Sequence, residues 1–94
     1  MKYRVEVHDV YGTPVLRRMA PPVRRRLRAA LDGLELDPFA APPGCDYRRL
    51  ELDPAKEPVY RLRVGSWRII YTVNGLVVKV IRIMARDEGY DWLG

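Results

Sequence analysis

Two tight turns in quick succession constrain this chain more than any other feature. Three strand-like runs, Val59–Val64, Trp67–Val73 and Leu76–Met84, are separated by Gly65-Ser66 and Asn74-Gly75. The runs alternate or are rich in β-branched and aromatic residues, which favours extended backbone. Glycine in the first loop position suits a type II′ turn, and Asn-Gly is the strongest short hairpin signal. Strands joined by two-residue loops can only form an antiparallel meander, and its register can be worked out in advance.

Around Gly65-Ser66, Val64 pairs with Trp67, Arg63 with Arg68, Leu62 with Ile69, Arg61 with Ile70 and Tyr60 with Tyr71. Around Asn74-Gly75, Val73 pairs with Leu76, Tyr71 with Val78, Ile70 with Lys79, Ile69 with Val80, Arg68 with Ile81 and Trp67 with Arg82. Paired residues share a face. One face then carries Tyr60, Leu62, Val64, Trp67, Ile69, Tyr71, Val73, Val78 and Val80, and needs covering. The other carries Arg61, Arg63, Arg68, Ile70, Lys79, Ile81 and Ile83, a basic patch among aliphatics. Simple alternation sends Arg82 and Arg86 to the apolar side, unless a bulge or turn past the apolar run redirects Arg86 and Arg82 reaches around the sheet edge. Arg63 opposite Arg68 is a like-charge pair, costing about 0.8 kcal/mol at roughly 5 Å in water. An anion held between the two would reverse the sign.

The first half of the chain supplies the cover. Lys2–Val7 alternates and reads as a strand, which Gly12 ends. Thr13-Pro14 opens a short helix with Val15, Leu16 and Met19 on one side. Pro21-Pro22 restarts it, and Val23, Leu27, Ala30, Leu31 and Leu34 recur at helical spacing as far as Leu36, with Pro38 as the stop. Residues 37–46, with three prolines and a glycine, are expected to be a surface loop, Tyr47–Leu52 a short extended piece and Asp53-Pro54 a turn. The expected class is α+β with order β-α-α-β-β-β, two N-terminal helices packed on one face of a small antiparallel sheet. Its 94 residues make one domain, 1–94.

Composition narrows the function classes. Apolar residues are 48% of the chain, too many for a disordered protein. Cys45 is the one cysteine, so no internal disulfide forms. No leader segment and no apolar run long enough to span a membrane is visible, which makes the cytoplasm the expected compartment. Lys and Arg total 17 against 12 acids, with a net charge of +5 and a pI near 9.7. That balance fits a nucleic-acid-binding domain. Fourteen of the bases are Arg, which favours bidentate phosphate contacts.

The run Tyr60-Arg61-Leu62-Arg63-Val64-Gly65-Ser66-Trp67-Arg68-Ile69-Ile70-Tyr71, followed by a hairpin, an apolar strand and then Arg86 and Tyr90, resembles the central signature of the RelE/ParE superfamily of bacterial toxins. The element order matches from Met1 to Tyr90, the N-terminal half in pattern only. The resemblance implies the toxin of a type II toxin–antitoxin pair. More narrowly, it implies a metal-independent, cofactor-free endonuclease that enters the ribosomal A site and promotes attack of the messenger's 2′-hydroxyl on the adjacent phosphate. Carried over position by position, Arg61, Arg63, Arg68, Arg86 and Tyr90 are the implied catalytic residues. Lys79, Arg82 and Trp92 are further candidates for holding RNA.

Three departures from the pattern bear on mechanism. The best-known members carry lysines where this chain has Arg61 and Arg63, and a guanidinium does not release its proton to act as a base. Many relatives have a histidine where Ala85 stands; the lone histidine, His8, ends the first strand and is read as structural. No helix is expected beyond Tyr90. The implied partners are the ribosome, the messenger and an antitoxin whose disordered tail folds over the helices or the sheet edge. The alternatives are a ParE-type inhibitor of DNA gyrase, which shares the fold without being a nuclease, and a non-toxic interaction module of the same fold.

Overall fold

The computed structural model describes residues 2–7, 13–50 and 58–85. The expectations for His8, Gly12, Asp53-Pro54, Arg86, Tyr90 and Trp92 lie outside these residues. The described elements are β1 (Arg4–Val7), α1 (Thr13–Arg18), α2 (Pro21–Leu36), β2 (Cys45–Leu50), β3 (Val59–Val64), β4 (Trp67–Asn74) and β5 (Val77–Ala85). They form one sheet of order β1-β5-β4-β3-β2 with both helices on one side, the expected α+β class. The extended piece before residue 52 is a full edge strand, antiparallel to β3. β1 joins the other edge parallel to β5. The backbone N–H of Tyr3 donates to Glu35 (2.7 Å), tying that edge to the end of α2. Among the described residues no helix is long and apolar enough to cross a membrane.

The helices form where the apolar spacing placed them. Leu27, Ala30, Leu31 and Leu34 of α2 are buried, as are Leu16 of α1 and Met19 just after it. They meet Leu62, Val64, Ile69, Tyr71, Val78, Val80 and Ile83 from the sheet in a single cluster. Each fully buried leucine contributes about 1.5–3 kcal/mol of transfer free energy. A glycine at position 33, inside α2, is poor for helix propensity, and its reason is tertiary. A Cβ there would lie 2.7 Å from Cγ of Pro42, so only glycine lets the following loop pack this close.

The first hairpin has the expected register at every pair from Val64–Trp67 to Tyr60–Tyr71. Gly65 takes φ +58° and Ser66 does not, as a type II′ turn requires. The second hairpin differs. Its loop is Gly75-Leu76, flanked by the pair Asn74–Val77, because Asn74 keeps a negative φ and Gly75 alone turns left-handed, at +60°. Val73 therefore faces Val78 rather than Leu76, Tyr71 faces Val80, and Lys79 lies opposite Thr72 rather than Ile70. A shift of two residues keeps every side chain on its expected face.

A second departure moves side chains across the sheet. Tyr71 pairs with Val80 and Ile70 with Arg82, leaving Ile81 as the extra residue of a β-bulge. Beyond it alternation is inverted. Ile83, expected beside the arginines, is 3% exposed in the core opposite Ile69. Arg82, expected on the apolar side, lies on the opposite face next to Ile70, and Met84 is beside Arg68.

The loop after α2 also departs from a plain surface loop. Pro38 is fully buried, and its carbonyl accepts a hydrogen bond from the Tyr71 hydroxyl at 2.6 Å. Tyr71 stacks on Tyr60, which stacks on Tyr47 and meets Phe39 edge-on. Burial first, then the nearby Tyr47, Tyr60 and Asp37, pushes the Tyr71 hydroxyl far above the usual phenol range. Tyr71→Phe should cost about 1–2 kcal/mol near neutrality by leaving the Pro38 carbonyl unsatisfied. The unfolded phenol ionises near pH 10 whereas the folded one keeps its proton, so this contribution is complete below pH 10 and lost above it. Urea unfolding at pH 8 and pH 11 should show the difference between wild type and Tyr71→Phe narrowing at the higher pH. A constant difference would refute the assignment.

Candidate functional site

The sheet face turned away from the helices carries the charge. Alternation and register place Arg4, Arg48, Arg61, Arg63, Arg68, Lys79 and Arg82 on it, against Glu6 and Asp46. Arg4 is engaged by Glu6 at 3.2 Å on its own strand. The rest surround two cross-strand rows, Arg82–Ile70–Arg61–Arg48 and Met84–Arg68–Arg63–Asp46. Directly opposed residues stand about 5 Å apart and diagonal ones about 7–8 Å. Arg63 thus stands directly opposite Arg68, and Arg82 is diagonal to Arg68 on the next strand, toward the end of the sheet marked by the Gly65-Ser66 turn. Ile70 and Met84, both buried yet outside the helix-facing core, form an apolar floor between them.

The arginines are not equivalent. Arg61 is only 8% exposed, and its Nη2 donates to Oδ2 of Asp46 on β2 at 2.5 Å. Its Nε is buried without a hydrogen-bond partner among the described residues. A guanidinium so enclosed is held in place, and Asp46, which sequence reasoning missed, is what holds it. Arg63 is exposed, while Arg68 and Arg82 are half-buried. Arg48, also missed, extends the first row to the sheet edge. Lys79 lies on the same face, displaced toward the other end by its pairing with Thr72. Arg86, Tyr90 and Trp92 lie outside the described residues, so the structure does not place them.

The titratable groups with shifted affinities lie on the helix-facing side. Burial raises the Cys45 thiol, partly countered by Arg26, and raises the Tyr47 and Tyr71 hydroxyls. Among the described residues no three His, Cys, Asp or Glu side chains group as metal ligands do. What the described part of this face offers is fixed positive charge in a planar, multidentate form, suited to an oxyanion.

The comparisons agree with the fold. The sequence profile of the ParE toxin of type II toxin–antitoxin systems matches residues 15–90. The archaeal RelE–RelB complex of Pyrococcus horikoshii OT3 contains a chain 30% identical, with a TM-score of 0.78 over 95% of this chain and 100% of that one. The RelB–RelE antitoxin–toxin complex of Methanococcus jannaschii contains one with the same fold, at 20% identity and a TM-score of 0.68 over 92% and 95% of the two chains. No curated protein matches the sequence. The chain belongs to the ParE toxin family of type II toxin–antitoxin systems, within the RelE/ParE superfamily.

The Arg63–Arg68 pair has a cost that thermodynamics can read. Arg63→Gln should raise stability by up to about 0.8 kcal/mol in low salt, and the gain should shrink as ionic strength rises. A destabilised Arg63→Gln protein in thermal melts would mean that Arg63 is held by partners rather than repelled by Arg68.

Proposed function

We propose that this toxin is a ribosome-dependent messenger-RNA endonuclease whose phosphate site is the cluster Arg63, Arg68 and Arg82. The observation that carries the reading is the bulge at Ile81, which brings Arg82 onto the face where Arg63 and Arg68 already oppose each other. RNA cleavage by an internal hydroxyl joins the 2′-oxygen to phosphorus and breaks the P–O5′ bond. The 2′-proton leaves to solvent, and the departing 5′-oxygen takes one up. Negative charge grows on the phosphorane oxygens, and preorganised donors stabilise it best. In this reading Arg63 and Arg68 bridge those oxygens and Arg82 approaches from the next strand. Arg61, clamped by Asp46, keeps the floor beside Ile70 in place. Arg86 and Tyr90 follow β5 directly and complete the proposed set, Arg86 on the leaving-group side and Tyr90 stacking on a base or moving a proton.

Arginines in place of lysines at 61 and 63 make the proposed mechanism chiefly electrostatic, with positioning and charge stabilisation in place of a strong base. The RelE–RelB complexes among the similar structures support a cognate antitoxin for this chain as well. A second reading, inhibition of DNA gyrase, is favoured by one observation: the matching profile is that of ParE toxins.

Primer extension on programmed ribosomes separates the two. Wild type should cut within the A-site codon, and Arg68→Ala should lower the rate by about 10²–10³-fold, as removal of one transition-state donor does elsewhere. Absence of cutting by folded wild type, together with gyrase-dependent DNA breakage, would replace the nuclease reading with the second.

A further inference from the structure

The two members of the Asp46–Arg61 pair are unequally placed. The Arg61 side chain is 10% exposed and the Asp46 side chain 62%. Register puts Arg63 directly opposite Asp46 and Arg61 diagonal to it, while Arg48 follows on β2 on the same face. One carboxylate thus stands among three guanidiniums. Among the described residues its partner is Nη2 of Arg61 alone, and Nε of Arg61 stays buried without one. Glu6, the other acid placed on this face, is on the opposite edge strand and engages Arg4.

This arrangement has the form of an anion site filled from within. A buried guanidinium left without a counter-charge is strongly destabilising, so Arg61 needs an anion beside it. That anion need not be Asp46. The carboxylate is the solvent-side member of the pair, on an edge strand, and can swing away without opening the core, whereas the enclosed Arg61 cannot. The short aspartate stem ties its carboxylate to β2 and to one guanidinium. A phosphodiester has two free oxygens and no tether, so it can accept from Arg61 and from exposed Arg48 or Arg63 together.

We propose that Arg48, Arg61 and Arg63 form a second phosphate subsite, which Asp46 occupies in the free toxin and yields to a backbone phosphate of single-stranded RNA. This rests on the proposed action on messenger RNA. Arg63 joins the two subsites, with Asp46 beside it on β2 and Arg68 beside it on β4. The anion positions therefore lie within two strand spacings, roughly 10 Å, on the scale of neighbouring phosphates along an extended strand. When the carboxylate leaves, the phosphate takes over the clamp on Arg61, and the floor beside Ile70 stays in place. Asp46 also makes the face selective. An isolated anion must displace a tethered competitor unaided. A strand already held at Arg63 and Arg68 brings its next phosphate at high effective concentration.

The test uses a fluorescent single-stranded RNA with 2′-O-methyl riboses, which has no 2′-hydroxyl to attack. Its affinity is measured by anisotropy across a salt series for full-length wild type, Asp46→Asn, Asp46→Asn/Arg61→Gln and Arg48→Gln, each checked for native circular dichroism. Asparagine keeps a neutral oxygen for Arg61. Asp46→Asn should bind about 10-fold more tightly near 0.15 M salt, because the competing charge is gone. Its logarithmic salt slope should match wild type, since the same phosphates are neutralised in both complexes. The gain should vanish in the double variant, whose subsite has lost its central cation. Arg48→Gln, at an exposed position, should weaken binding, with a slope shallower by about 0.7 for one lost contact. Equal or weaker binding by Asp46→Asn would make Asp46 a fixed clamp and overturn the inference. A slope steeper by about 0.7 in Asp46→Asn would mean that wild type never yields the carboxylate, and would overturn it too. An Arg48→Gln protein that binds as wild type does would remove the subsite. Messenger cutting on ribosomes is followed in parallel. Wild type that binds the RNA but cuts nothing would end the nuclease reading, while a gain in Asp46→Asn would still uphold the subsite.

Discussion

One extra residue in β5 decides what the far half of the sheet presents on each side. Without the bulge at Ile81, Arg82 would enter the helix-facing core and Ile83 would leave it. Both outcomes are costly, since a buried unpaired guanidinium forfeits several kilocalories per mole and an exposed isoleucine about 1.5–3 kcal/mol. The bulge exchanges them. It completes the apolar layer with Ile83 and the charged cluster with Arg82 in the same step, so core and candidate site depend on one local irregularity. Such irregularities often re-aim side chains beside functional sites.

Features governed by neighbouring residues were legible in the sequence. The Gly65 turn gave the β3–β4 register and with it the Arg63–Arg68 opposition, because a two-residue loop leaves no slack. The leucines of α2 showed their face by spacing alone. Features governed by distant residues were not. Asn74-Gly75 read as the second loop, yet the turn begins at Gly75, since one left-handed residue suffices and the twist of β4 continues through Asn74. Leu76–Met84 is apolar except for Lys79 and Arg82, so its pattern does not say on which side of the bulge each face continues. The parallel placement of β1 beside β5 has no local signal, because no short connection links them. Buried Pro38 looked like a loop residue because its role is to accept the Tyr71 hydrogen bond from across the core.

The candidate site itself was half legible. Arg61, Arg63, Arg68 and Lys79 could be assigned to one face by counting, but counting treats them as equals. The structure separates a clamped Arg61, enclosed and tied to Asp46, from an exposed Arg63. That difference comes from β2, whose mixed run Cys45–Leu50 hardly announces a strand, with Arg48-Arg49 breaking its alternation. An edge strand of weak pattern thus supplies the carboxylate that fixes the central guanidinium.

Electrostatics also bear on the choice of arginine over lysine on the sheet. The like-charge opposition of Arg63 and Arg68 costs a fraction of a kilocalorie per mole, which a small domain of marginal stability feels. Lysines would carry the same charge and could splay into solvent with equal ease. What arginine adds is a rigid fork that grips two phosphate oxygens at once and stacks on a base. The benefit appears only when phosphates are present. Fourteen arginines against three lysines therefore favour bidentate contacts with oxyanions over contacts with point charges.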